Sequence, residues 1–309
     1  MRIITNLRQL NRVFFIRPVV SIGIFDGVHL GHKRILRKVV NEARRIGGTS
    51  IVVTFSPHPA TILDTIGAPP LLISLKHRLK LIENEGIDVA CVLNFNETLA
   101  RCDAEEFVKK VLIKRISVRT VIIGLNFKFG KDKKGDIKLL KTFAKQFNFF
   151  VKGVSLFKIG GRPVSSTRIR NAIMNGRLSE AARLLGRRVS ILGTVVKGAQ
   201  RGRILGYPTA NIDPHQEAIP PSGVYAVYVL LEGKRYKGIL NIGQRPTFDK
   251  IRKKNPTIEV HIFNFCNYIY GKEIEVIFVG KLRGEKKFRT KKELVQQIKI
   301  DEITANMIL

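Results

Sequence analysis

Between residues 19 and 156 short apolar runs alternate with amphipathic stretches, and this alternation restricts the fold more than any other feature of the chain. Val19-Val20 with Ile22 and Ile24, Thr49 to Phe55, Ile87 to Leu93, Val118 to Ile123 and about Phe149 to Leu156 have the length and character of buried strands. Helical periodicity fills the intervals: Ile35, Leu36, Val39, Val40 and Ala43 share one side, Leu75 to Glu85 stops at Gly86, and a helix spans about Asp136 to Gln146. Asp103 with Glu106 has the spacing of a capping box for a helix running to about Arg115. Strands separated by helices pair in parallel through right-handed crossovers, which predicts a doubly wound α/β sheet. Ligands of such sheets bind beyond the carboxyl ends of the strands. The segments Asp26 to His32, Ser56 to Pro59, Asn94 to Thr98 and Gly124 to Gly130 each follow a strand and are expected to converge on one face.

The first of these segments is the richest in chemistry. Gly23, Gly27 and Gly31 punctuate a strand-to-helix join, where glycine lets the backbone approach a ligand and the helix N-terminus offers free N–H groups to an anion. His29 and His32 stand three apart, face the same way on a first helical turn and can both donate to one phosphate chain. The competing reading is a helix merely capped by a histidine. Further on, Ser165, Ser166 and Thr167 are good N-cap residues before a short helix, and Arg168 adds a charge-assisted donor, so this second helix start suits another part of a triphosphate.

At Gly186-Arg187-Arg188 the pattern changes, which places a domain boundary between residues 186 and 187. Runs at Val189 to Val196, Val224 to Leu231, Arg235 to Asn241, Thr257 to Phe263 and Glu273 to Val279, separated by turn residues, predict a small antiparallel barrel. A C-terminal helix opens at Thr290 with Glu293 as a capping box and Leu294, Val295 and Ile298 inward. Gly193 to Asn211 contains Gly198, Gly202 and Gly206 ahead of Pro208-Thr209-Ala210-Asn211, without the Gly-Lys-Ser/Thr ending of a P-loop. Glycines here serve equally as barrel corners. Glu259 alternates with Ile258 and Val260, so its side chain points away from theirs.

Gly-x-Phe-Asp-Gly-x-His-x-Gly-His, at Gly23, Phe25, Asp26, Gly27, His29, Gly31 and His32, resembles the signature of nucleotidyltransferases that move AMP from ATP to a phosphate, in the branch of the bacterial bifunctional riboflavin kinase/FAD synthetases. The likeness spans almost the whole chain. It implies that His29 and His32 are catalytic, and that Gly23, Phe25, Asp26, Gly31, Asn126, Ser165, Ser166, Thr167 and Arg168 bind nucleotide in a domain of residues 1–186. In residues 187–309 it implies a riboflavin kinase barrel, with Gly198 and Gly202 in a flap over ATP, Thr209 and Asn211 holding Mg²⁺, and Glu259 as the catalytic base. The implied substrates are riboflavin, FMN and ATP. Asn264 stands where many members carry aspartate, and Tyr207 where phenylalanine is usual.

The net charge of +31 admits a rival, an RNA-binding or tRNA-acting protein, since His-Leu-Gly-His also resembles the class I aminoacyl-tRNA synthetase signature. No Lys-Met-Ser-Lys-Ser-like loop follows, and the basic residues are spread over both halves, so a nucleic-acid partner is disfavoured. A nucleotidyltransferase with another acceptor is a nearer alternative, but leaves residues 187–309 without a role. Three unpaired cysteines, the absence of a signal-peptide pattern and the lack of a run of about 18 apolar residues predict a cytoplasmic protein without a membrane span.

Overall fold

The computed structural model describes residues 1–5, 14–63, 68–198, 202, 206–216, 218–243 and 256–309. The chain falls into two compact units, residues 1–69 with 75–166, and residues 70–74 with 167–309.

The first unit holds a six-stranded sheet of β1 (Arg2–Ile4), β2 (Val19–Ile22), β3 (Ser50–Ser56), β4 (Val89–Asn94), β5 (Thr120–Gly124) and β6 (Phe150–Val154). The order is β1-β4-β3-β2-β5-β6 and every neighbouring pair is parallel. Helices α1 (Leu30–Ile46), α2 (Leu75–Asn84), α3 (Ala104–Phe107) and α4 (Ile137–Phe147) alternate with the strands. Successive residues Ile51, Val52 and Val53 are all fully buried, as a parallel strand covered on both faces requires. Strand order reverses between β2 and β5, which makes the loops after these two strands the expected ligand crevice.

Helix α1 buries Leu36, Val39, Val40 and Ala43 as its periodicity predicts, and ends where Gly47 takes a left-handed conformation (φ 60°) that most side chains avoid. The capping box at Asp103 is corrected: Asp103 occupies the N-cap but its side chain makes no capping bond, and Glu106 faces Lys110 instead. The helix continues as a π-helical turn, Val108–Ile113. A small hairpin, β7 (Lys158–Ile159) with β8 (Arg162–Pro163), precedes α5 (Ser166–Met174), then α6 (Leu178–Leu185).

In the second unit β9 (Ser190–Val196), β10 (Ala210–Asp213), β11 (Gly223–Leu231), β12 (Lys234–Gly243), β13 (Thr257–Ile262) and β14 (Glu273–Arg283) close into an antiparallel barrel in the order β10-β13-β12-β11-β14-β9. Closure leaves no unpaired edge among these strands. Ile258, Val260 and Ile262 fill the interior. Helix α7 (Lys291–Ile308) begins as expected: the Thr290 side chain accepts from the Glu293 N–H at 3.1 Å, and the Glu293 carboxylate accepts from the Arg289 N–H. Ile298 packs inward as expected, against the cluster of Val224, Ala226, Ile239, Phe263 and Ala305. Leu294 and Val295 are only half-buried, whereas Asp301 and Ala305 are buried. Asp301 receives Nε and Nη2 of Arg283 at 2.8–3.0 Å, so a fork of charge-assisted bonds docks this helix alongside its apolar contacts.

Candidate phosphate-transfer sites

Where β2 ends, the backbone turns through residues that side chains normally avoid: Phe25 (φ 54°), Gly27 (φ 83°) and Val28 (φ 38°) are all left-handed. This strained turn delivers His29 to the N-cap of α1. Its Nδ1 accepts the N–H of His32 at 3.3 Å, so in the neutral ring Nε2 carries the proton. The rings of His29 and His32 stack with centroids 3.6 Å apart, and Phe25 meets His32 edge-on at 5.2 Å. Capping and paired histidines are thus two aspects of one arrangement. A Cβ on Gly31 would stand 3.1 Å from the His29 ring and one on Gly23 3.0 Å from Phe25, closer than side chains ordinarily approach.

Burial, then the His29 and Arg78 charges, hold His32 well below the usual histidine pKa, and its Nδ1 is buried without a hydrogen-bond partner. At neutral pH it is an uncharged imidazole. It therefore acts as a polar contact, and positive charge at the site comes from elsewhere. Asp26 is 4% exposed, and its carbonyl accepts from Ser166 Oγ at 2.9 Å, tying the loop after β2 to the start of α5. Asn126 lies in the turn after β5, where a Cβ on Gly124 would approach both Asn126 Oδ1 (3.3 Å) and Ile35 of α1 (3.8 Å). The structure thus gathers Gly23, Phe25, Asp26, His29, Gly31, His32 and Ser166 around one helix start. Ser165 is half-buried beside them. Thr167 and Arg168 belong to the second unit, Thr167 exposed and Arg168 held by Glu180 through Nε (3.2 Å) and Nη2 (3.1 Å). Sequence reading missed Arg78, because an arginine on an amphipathic helix ordinarily points to water.

On the barrel, antiparallel register sets Glu259 of β13 between Asn211 of β10 and Asn241 of β12. Cross-strand partners share a face, so the two amides flank the carboxylate outside the packed interior. Thr209 Oγ1 donates to Glu259 Oε2 at 3.3 Å. The glycine segment comes so close that a Cβ on Gly198 would lie 2.0 Å from Asn211 Nδ2, and one on Gly202 would lie 2.3 Å from the Tyr207 carbonyl and 3.1 Å from Thr209 Oγ1. Only glycine permits this approach. His261, unremarked in the sequence, braces the turn: its Nδ1 lies 2.8 Å from the Pro208 carbonyl and its ring meets Tyr207 at 5.3 Å. A cavity of about 440 Å³ opens beside Thr209, with Pro208, Val260, Phe265, Tyr268 and Tyr270 in its walls. Hydroxyl and amide oxygens are hard donors that suit Mg²⁺, so Thr209 and Asn211, with the Glu259 carboxylate beside them, fit that ion.

A parallel sheet ending in a histidine–glycine loop, followed by a barrel with a hydroxyl–carboxylate pair beside Gly198 and Gly202, is the arrangement of a two-module phosphate-group transferase. Residues 15–168 match the FAD synthetase family and residues 185–309 the riboflavin kinase family. The chain is 37% identical over 300 residues to the bifunctional riboflavin kinase/FMN adenylyltransferase of Buchnera aphidicola subsp. Schizaphis graminum, covering 96% of this chain and 95% of that one. The protein of the same name from Haemophilus influenzae is 37% identical over 306 residues, 99% and 98% of the two chains. A solved structure from Streptococcus pneumoniae, titled as a macrolide-efflux protein, superposes with a TM-score of 0.83 at 32% identity and 98% coverage of both chains. This chain belongs to the bifunctional riboflavin kinase/FMN adenylyltransferase family. Among the described residues no helix is long and apolar enough to cross a membrane.

Proposed function

We propose that the barrel converts riboflavin to FMN and the parallel-sheet unit converts FMN to FAD, with residues 187–309 as the kinase module and 1–186 as the adenylyltransferase. Support for the boundary comes from the second family segment, which starts at residue 185, and from the closed ladder, which starts at Ser190. In the first step the terminal ribityl hydroxyl attacks the γ-phosphorus of ATP. The bond from that phosphorus to the β-bridging oxygen breaks, ADP leaves, and Glu259 takes the hydroxyl proton. Thr209, which donates to Glu259, orients the carboxylate, and Gly198 and Gly202 allow the flap to lie against the phosphates. Thr209 and Asn211 would hold Mg²⁺, whose chemistry is to neutralise charge on the phosphate oxygens.

In the second step a phosphate oxygen of FMN attacks the α-phosphorus of ATP, and pyrophosphate leaves with the electron pair of the broken bond. No proton needs to move, so the requirement is alignment and charge stabilisation. His29 Nε2–H and His32 supply donors to the triphosphate, the α1 N-terminus supplies its N–H groups, and Ser166 fixes the loop. The stacked, N-capping histidine pair is the observation that carries this reading. Incubation with riboflavin, ATP and Mg²⁺ followed by separation of the flavins tests it: FMN is expected first and FAD after it. FMN without FAD would refute the second half, and unchanged riboflavin would refute the first.

A further inference from the structure

Arg78, on α2 in the first unit, is 6% exposed. A guanidinium taken from water is tolerated only where its donors meet acceptors. Nη1 donates to the Ile24 carbonyl at 2.6 Å and Nη2 to the Phe55 carbonyl at 3.1 Å, while Nε is buried and makes no hydrogen bond. Ile24 lies where the chain leaves β2 for the phosphate loop, and Phe55 lies at the end of β3. Thr54 Oγ1 joins the same Ile24 carbonyl at 3.1 Å. Both acceptors are neutral, and among the described residues no carboxylate forms an ion pair with Arg78. Burial lowers its pKa and the nearby Asp26 charge raises it, but an arginine keeps its proton at neutral pH. A full positive charge is therefore locked beneath the turn that carries His29 and His32, the latter being neutral.

We propose that Arg78 is a positioning residue of the adenylyl-transfer site, its planar fork tying the ends of β2 and β3 together while its charge, with Asp26 as the nearby carboxylate, lies at the loop that receives the triphosphate. This rests on reading Gly23 to His32 as the ATP loop. Lysine cannot replace both functions, because a single ammonium does not present two parallel donors in fixed geometry. The charge of Arg78 also acts on His32, together with that of His29, while Asp26 acts on Arg78.

Arg78→Met and Arg78→Lys in the full chain test the proposal by two readouts. In Arg78→Met, kcat/KM for ATP in adenylylation of supplied FMN should fall by roughly 10- to 100-fold, mainly through KM, and the His32 ring should titrate at higher pH by NMR. Arg78→Lys should lose less and leave the His32 titration close to the parent's. FMN formation by the barrel reports intact protein in both. A folded Arg78→Met with parental ATP dependence and parental His32 titration overturns the proposal. If the Met variant does not fold, parental ATP dependence in the folded Lys variant overturns it, because the two-carbonyl bridge is then dispensable. A parent protein that makes no FAD would instead sink the adenylyltransferase reading, while the His32 titration would still report the Arg78 coupling.

Discussion

His29 Nδ1 closes the first turn of α1, and we assign the same ring the role of a donor to the triphosphate. His29→Ala or His32→Ala should therefore slow FAD formation from FMN by roughly 10²- to 10³-fold, the usual effect of removing one electrophilic donor, with FMN formation retained; parental adenylylation in either variant would refute the roles assigned to them. His32 also sets a pH dependence. Its folded pKa lies well below the usual histidine value, so on acidification the unfolded chain takes a proton near about 6.5 while the folded chain refuses it. Stability from this group is intact above the unfolded pKa and declines as pH falls towards the folded one. The stability advantage of the parent over His32→Gln, read from urea denaturation, should shrink from about pH 7 to about pH 5; a difference independent of pH would contradict the neutral-imidazole assignment. Glu259→Gln keeps the shape between Asn211 and Asn241 but removes the proposed base, so FMN formation should drop by about 10²- to 10⁴-fold while supplied FMN is still adenylated. Normal kinase turnover in that variant would make Glu259 an ordinary strand residue.

Helix α7 is docked by the Arg283–Asp301 ion pair together with its apolar contacts. Asp301→Ala leaves the Arg283 guanidinium without its fork partner and should destabilise the barrel by about 3–5 kcal/mol, seen as a lower urea midpoint; a midpoint within error of the parent would show that Val224, Ala226 and Ala305 hold the helix alone. Which elements were legible follows from how they are stabilised. Runs such as Ile51 to Val53 declare themselves because a central parallel strand is apolar on both faces. β1, three residues long, and β10, four residues beginning just after Pro208-Thr209, do not, since β1 pairs 87 positions away, β10 pairs both 15 and 50 positions away, and their own composition reads as a terminus and a turn. Asp301 and Arg78 were overlooked for one reason: a charged residue on a helix is normally solvated, and only a distant partner reveals that it is not.

The candidate sites were readable as lists of residues before they were readable as places. The order of strand ends in a doubly wound sheet brings the β2 and β5 loops together by topology alone, whereas the flank of Glu259 by two asparagines depends on barrel register that spacing does not disclose. Organisation gives the remaining prediction. A fragment of residues 187–309 contains every strand of the closed ladder and should fold and make FMN but no FAD. A folded, ATP-binding fragment that made no FMN would remove the kinase assignment. A fragment of 167–309, which adds the helices grouped with the barrel, should be the more stable of the two. The Ser166 Oγ bond to the Asp26 carbonyl joins residues 140 positions apart. On a ribosome adding roughly 5–20 residues per second, the histidine loop is made and then waits on the order of ten seconds for the hydroxyl that fixes it, so a chain truncated before residue 166 would carry the complete signature of the loop without its tether.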